Sequence, residues 1–136
     1  MNINTINEYR TRSLQSTLWV FFFLQVIFKD LHDFFRVGMI EEILSGVVNG
    51  NKVSEEMLLV GGIMLQLPLL MIVFTKVLPR QAVRVLTFIV APLALLASLS
   101  MGYKDMDDAL FYVVWTITLM TVVVMAARWK EASPLD

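Results

Sequence analysis

Four apolar segments dominate the sequence, and each is about as long as a helix that crosses a lipid bilayer. A spanning helix needs about 20 mostly apolar residues. The clearest segment, residues 109–127, contains no charged residue, and few soluble proteins bury such a helix on every side. We therefore predict four spans, at about residues 13–35, 55–78, 82–102 and 107–128, in a single membrane domain over residues 1–136.

The first segment has a second interpretation as a cleaved signal peptide. Arg10 and Arg12 precede it, as basic residues precede the apolar part of a signal peptide. A cleavage site of small residues does not follow, because residues 29–33 read Lys-Asp-Leu-His-Asp. A retained span is the favoured interpretation.

Composition supports a membrane protein and excludes several kinds of site. Apolar residues make up 57% of the chain and charged residues 17%, whereas soluble domains average about 45–50% and about 25%. The chain has no cysteine, which excludes thiolate metal sites and iron–sulfur clusters. His32 is the single histidine, so a histidine-rich zinc site is excluded too. We predict no metal and no cofactor, and the net charge of −1 leaves no basic surface for nucleic acid.

The distribution of charge predicts the orientation. With four spans, both termini lie on one side of the membrane, and seven of the eleven basic residues lie there with them. The other side carries nine of the twelve acidic residues. Because basic loops stay in the cytoplasm, we predict a multi-pass protein of the bacterial inner membrane with both termini cytoplasmic.

The connection between the first two spans predicts a further helix. Apolar residues recur there at helical spacing over residues 39–48, which is typical of an amphipathic helix on the outer membrane interface. Gly46, Asn49, Gly50 and Asn51 predict a turn after it. The predicted fold is therefore all-α: a four-transmembrane-helix bundle with a short interfacial helix between spans one and two.

Small residues predict where the spans pack, because close contact drives helix association in lipid. The third span offers Ala91, Ala94 and Ser98, and the second offers Gly61 and Gly62. These residues predict packing within the chain, and they leave open a homo-oligomer.

One group of polar residues is a candidate ligand site at the outer end of the first span. Four of its members follow one another at steps of four, three and four, which places them in one stripe on a helix. Two aspartates flank the stripe, and a glutamine lies deep in the second span. Ionisable groups at membrane depth often mark function. The candidate ligand-binding residues are Gln25, Lys29, Asp30, His32, Asp33, Arg36 and Gln66.

The same group has a plainer interpretation as a solvated helix end. Lys29 with Asp33, and Asp33 with Arg36, have the spacing of ordinary ion pairs within a helix. No catalytic residue is predicted, because His32 and its neighbouring acids lack a nucleophile or metal constellation.

A set of short motifs between residues 18 and 84 resembles a known family. The motifs are Leu18-Trp19, Phe28-Lys29-Asp30, Gly38, Ile40-Glu41-Glu42-Ile43, Gly46, Ser54, Leu67-Pro68, Leu78-Pro79 and Arg84. The chain resembles an uncharacterised family of small bacterial four-helix membrane proteins, a domain of unknown function, loosely similar to DoxX proteins. The chain departs from the family pattern at Val37 and Val83, where the family has proline and often asparagine. The resemblance implies four spans, points to Asp30, and implies no activity.

These observations lead to three functional hypotheses. The first is binding of a small amphiphile or lipid in a polar pocket open to the outer side. The second is a non-catalytic scaffold or assembly subunit of a membrane complex or homo-oligomer. The third, an ion pathway, is weakened because spans three and four lack ionisable residues deep inside. The expected partners are membrane lipids and a second copy of the chain.

Overall fold

The protein is described by a computed structural model that covers residues 3–100, 102–103 and 105–129. Over these residues the elements are α1 (Ile3–Phe34), α2 (Met39–Ser45), β1 (Val47–Val48), β2 (Asn51–Lys52), α3 (Glu55–Val77), α4 (Arg80–Ser100) and α5 (Met106–Arg128). Helices α1, α3, α4 and α5 are long and apolar enough to cross a membrane. This confirms the all-helical fold with four apolar helices, and it suggests a multi-pass membrane protein.

The ends of the long helices follow from local sequence signals. The hydroxyl of Ser54 accepts a hydrogen bond from the backbone N–H of Met57, which caps the start of α3. The side chain of Asp105 caps α5 in the same way through the N–H of Asp108. Helix α1 begins at Ile3, well before the predicted span at about residue 13. Its first three turns are rich in polar residues, so they are helical but lie outside the apolar segment.

The four long helices form an up-and-down bundle in which each packs against two neighbours. Helix α1 contacts α3 and α5, and α4 contacts the same two helices from the opposite corner. One end holds the start of α1, the α3–α4 turn and the end of α5, and we call it the basic end. The opposite end holds α2, the hairpin of β1 and β2, and the α4–α5 connection, and we call it the hairpin end.

Aromatic side chains fill the middle of the bundle. Trp19 packs edge-on against Phe22, and Phe22 packs edge-on against Trp115, with ring centroids 6.3 Å apart in both pairs. Phe111 is a fourth aromatic residue of this group, and its ring lies tilted against Trp115 with centroids 6.2 Å apart. Large buried rings that meet edge to face fix the relative position of helices closely. The core therefore joins α1 to α5 between the two polar ends.

The short helix in the first connection is shorter than the sequence analysis predicts. Helix α2 ends at Ser45, because Gly46 takes a left-handed backbone conformation with φ of 72°. Val47 and Val48 then pair as a strand with Asn51–Lys52. The intervening Asn49 and Gly50 both have positive φ, 54° and 75°, as a tight hairpin turn requires. Including Val47 and Val48 in the helix was therefore wrong; the interfacial position of α2 stays a prediction.

The small residues of α4 pack within the chain as predicted, whereas the two glycines of α3 make no close contact within it. Ala91 and Ser98 are buried. At Gly61 and Gly62, by contrast, an added Cβ would find no atom of the described chain within 4 Å. Open space therefore lies beside these two glycines at the hairpin half of α3.

Candidate functional site

Lys29 is the centre of a buried ion-pair network at the hairpin end. Its side chain comes from the eighth turn of α1 and is only 4% exposed. The ammonium nitrogen lies 2.9 Å from Oδ2 of Asp33, one turn later, and 2.8 Å from Oδ1 of Asp108 on α5. Asp108 is 1% exposed. A charge this buried needs partners of opposite sign, so the network ties α1 to the start of α5.

The remaining charged members of the predicted stripe lie around this centre. A guanidinium nitrogen of Arg36 lies 3.5 Å from the second carboxylate oxygen of Asp33. His32 faces α5 on an exposed side, with Nδ1 3.6 Å from Oδ2 of Asp107. The His32 ring also packs edge-on against Phe111, with centroids 5.6 Å apart. At the start of α5, the hydrogen bond with the Asp107 carboxyl raises the pKa of Asp105, as expected where carboxylates lie close together.

A cavity of about 310 Å³, which we call the polar cavity, opens beside the ion-pair network. The ends of α1 and α4, the starts of α3 and α5, and the hairpin all contribute to its wall. Tight hydrogen bonds hold the hairpin there: the Glu42 carboxylate accepts from the N–H of Asn49 at 2.8 Å, and the N–H of Val53 donates to the carbonyl of Gly46 at 2.9 Å. The lining residues are Lys29, Asp30, Asp33, Val48, Asn49, Asn51, Met57, Ser100, Gly102 and Asp108.

A second cavity of about 340 Å³, which we call the apolar groove, lies between α3 and α4. Phe22 and Val26 of α1 form part of its wall. It exists because Gly61 on α3 and Ala94 and Ala97 on α4 have too little side chain to fill the space between the helices. The remaining lining residues are Met57, Val60, Met64, Leu65, Pro68, Ser98 and Ser100.

Four residues of the predicted site line neither cavity: Gln25, His32, Arg36 and Gln66. Gln66 is exposed on α3. The buried positions of α3 are Pro68, Met71 and Thr75, and Gln66 falls on the opposite face, two positions before the first of them. Gln25 is partly buried one turn before Lys29. The structure thus brings Lys29, Asp30 and Asp33 together at the polar cavity, with His32 and Arg36 near them, and leaves the two glutamines apart.

The structure adds residues that the sequence analysis does not include in the site. Asp108 is the most important of these, because it is a direct partner of the Lys29 ammonium. Its spacing does carry a signal: Asp108, Phe111, Trp115 and Val122 are buried together and follow helical periodicity, which places Asp108 on the inward face of α5. Asn49 and Asn51 enter through the hairpin, for which Asn49-Gly50 is the sequence signal.

A second polar network, at the basic end, also joins helices. The Arg12 guanidinium donates to the carbonyls of Thr75 and Leu78 at 3.0 and 2.8 Å, where α3 ends. It pairs with Glu8 at 2.8 Å, and it lies 5.1 Å from the ring centre of Trp129. Glu8 in turn accepts the indole N–H of Trp129 at 2.7 Å. Arginine here satisfies carbonyls that the end of a helix leaves free.

Two arginines of α4 donate hydrogen bonds to backbone carbonyls at the end of α5. Arg80 donates to the carbonyl of Trp129 and Arg84 to that of Ala126, each at 2.9 Å. The basic residues of this end therefore have a structural role as helix C-terminal caps, besides the charge asymmetry that they give the chain.

Comparison with known proteins identifies a family and no function. The model of a family described as "Family of unknown function (DUF6326)" matches residues 1–134. The match covers α4 and α5, where the resemblance in the sequence rests on hydropathy alone. No curated protein and no solved structure matches the chain. The DoxX-like relation and the bacterial origin stay predictions.

Proposed function

Because the chain belongs to the DUF6326 family, whose function is unknown, we propose a function from its own geometry. The protein binds one amphiphile or lipid molecule. The head group occupies the polar cavity, and an acyl chain occupies the apolar groove.

The contact between the two cavities is the observation that carries this proposal. Met57 at the start of α3 and Ser100 at the end of α4 line both of them. A charged cavity therefore lies directly beside an apolar groove, which is the arrangement that a molecule with a polar head and an oily tail requires. A small polar ligand would leave the groove without a role, and a plain hydrocarbon would leave the charged cavity without one.

The length of the groove fits one leaflet of a bilayer. Along α3 the groove extends from Met57 to Pro68, and at 1.5 Å per residue this is about 16 Å. The hydrocarbon core of a bilayer is about 30 Å thick, so one leaflet contributes about 15 Å. An acyl chain of one leaflet can therefore lie along the groove while its head group stays at the hairpin end.

The charge asymmetry gives the direction of access. The basic end has the composition of a cytoplasmic surface, so the hairpin end and the polar cavity face the outer leaflet of the inner membrane. Ile40, Ile43 and Leu44 of α2 are exposed at this end. Their exposure supports the proposed place of α2 on the outer interface, beside the entrance through which an amphiphile would arrive.

Filling the groove tests this function. In Ala97→Phe a large ring replaces a methyl group in the wall of the groove. We expect the variant to bind lipid about tenfold more weakly, because forcing a ligand into an overpacked site costs roughly 1–3 kcal/mol. The measurement is native mass spectrometry of the full chain released from nanodiscs, with the lipid-bound fraction as the readout.

Leu96→Phe is the matched control, because Leu96 is the neighbouring residue of α4, is 64% exposed and does not line the groove. It should keep wild-type lipid occupancy. Equal occupancy in both variants, or no bound lipid in the wild-type chain, would contradict lipid binding in the groove.

The alternative function, an assembly subunit or homo-oligomer, is favoured by one feature. Gly62 does not line the apolar groove and faces open space on a helix that is mostly exposed, and a small residue of this kind allows a second helix to approach closely. If a second copy covers this face, Gly62→Leu should convert an oligomer into a monomer in native mass spectrometry. A wild-type chain that is strictly monomeric would contradict this alternative.

A further inference from the structure

We propose that the polar cavity selects a head group that carries a positively charged amine, and that the carboxylate of Asp30 holds this amine. The inference rests on the proposed function, because it assigns the chemistry of the head group within the same site.

The charges on the cavity wall give the first reason. Among the described lining residues, three are carboxylates, Asp30, Asp33 and Asp108, and one is an ammonium, Lys29. The other described lining residues are uncharged. The described lining residues therefore carry a formal charge of −2. An anionic head group would be repelled from it, and a cationic amine would be attracted.

The arrangement of the ion pairs gives the second reason. Lys29 contacts both Asp33 and Asp108, and Asp33 has Arg36 as a further neighbour. Asp30 lies on the same wall and is exposed. In the part of the chain that the structure describes, no cationic nitrogen lies within 4 Å of the Asp30 carboxylate. Asp30 is therefore the lining carboxylate whose charge remains available to a ligand.

The uncharged part of the wall suits an amine donor. An ammonium group has N–H donors and no acceptor, so it needs several oxygens around it. Asn51 uses its amide N–H to bond the carbonyl of Asn49 at 3.3 Å, which leaves its amide oxygen as an acceptor. The hydroxyl of Ser100, on the opposite wall, can accept as well. Asp30, Asn51 and Ser100 together offer an amine one charged and two neutral acceptors.

Asp30 lies at the end of the bundle where the polar cavity meets the apolar groove. Asp30 follows Lys29 at the end of α1, and Ser100 and Met57 connect the polar cavity to the groove. A head group held at Asp30 therefore lies at the same end of the bundle as the mouth of the groove. The chemistry assigned to the site is an amine attached to a long apolar chain, as in a monoacyl phosphatidylethanolamine.

The experiment compares three probes on the full chain in nanodiscs by native mass spectrometry. The probes are monoacyl phosphatidylethanolamine, monoacyl phosphatidylglycerol with the same acyl chain, and free ethanolamine. We expect the ethanolamine lipid to bind best and free ethanolamine to show no binding. Asp30→Asn should weaken binding of the ethanolamine lipid by about tenfold and leave the glycerol lipid unchanged or improved, since one charge-assisted hydrogen bond is lost.

Asp107→Asn is the matched control, because Asp107 is an acid at the same end that does not line the cavity; this variant should bind like wild type. Equal binding of both lipids, with no effect of Asp30→Asn, would overturn the amine assignment while leaving lipid binding intact. Binding of free ethanolamine as strong as that of its lipid would overturn the need for a tail. If the wild-type chain binds neither lipid, the proposed function itself would be overturned.

Discussion

Replacing Lys29 with methionine should destabilise the protein by about 3 kcal/mol. The methionine keeps most of the apolar volume, but it removes the ammonium that lies between Asp33 and the buried Asp108. Breaking a buried ion pair from one side costs about 3–5 kcal/mol, because the charge that remains is buried without its counterion. The measurement is the free energy of unfolding in mixed micelles, with the loss of the helical circular dichroism signal as the readout.

Two further variants show whether the buried charge is the cause. Lys52→Met removes a lysine from an exposed position of β2 and should change stability by less than about 0.5 kcal/mol. The double variant Lys29→Met/Asp108→Leu removes both buried charges and should recover most of the lost stability. A Lys29→Met variant as stable as Lys52→Met would show that the network does not hold α1 to α5.

Replacing Arg12 with methionine should cost about 2 kcal/mol and loosen the basic end. The change removes two bonds to the carbonyls of Thr75 and Leu78 and the ion pair with Glu8. Hydrogen bonds from charged groups contribute about 1.5–3 kcal/mol each, and partial exposure of the guanidinium reduces that sum. Unfolding in mixed micelles measures the loss, and amide hydrogen exchange at the end of α3 should accelerate.

Arg10→Met is the control for Arg12, because Arg10 is an exposed arginine of the same helix, two positions earlier. It removes the same charge from the same end and should leave stability within about 0.5 kcal/mol of wild type. Equal losses in the two variants would mean that net charge, rather than the carbonyl contacts of Arg12, determines stability at this end.

Hydropathy predicted the long helices well because each apolar segment is a local property of the chain. The number of spans is clear from segments such as residues 109–127, and Ser54 marks the start of α3 through its own hydroxyl. The early start of α1 is not predicted, since its first turns are polar and hydropathy does not detect helices made of polar residues. The predicted end of α2 lies three residues too late, because apolar residues continue at helical spacing past Gly46 to Val48.

The candidate site was predicted only in part, because half of it depends on contacts between distant segments. The sequence predicts that Lys29, Asp30 and Asp33 lie together at the end of α1, since they are close in sequence. Pairing of Lys29 with Asp108 requires α1 to lie antiparallel to α5, and hydropathy does not define which helices are neighbours. The same limit explains Gln66: its depth in α3 was visible, but the face of α3 that meets the bundle was not.

The two polar networks sit on one unbroken helix, and this has a mechanical consequence. Arg12 and Lys29 both belong to α1, and their 17 positions of separation correspond to about 26 Å along its axis. A continuous helix is stiff over that distance, so movement at one end is transmitted to the other. A ligand that displaces Lys29 would therefore also displace the segment of α1 that contacts the end of α3, and the hydrogen bonds of Arg12 are a place to detect occupancy of the polar cavity.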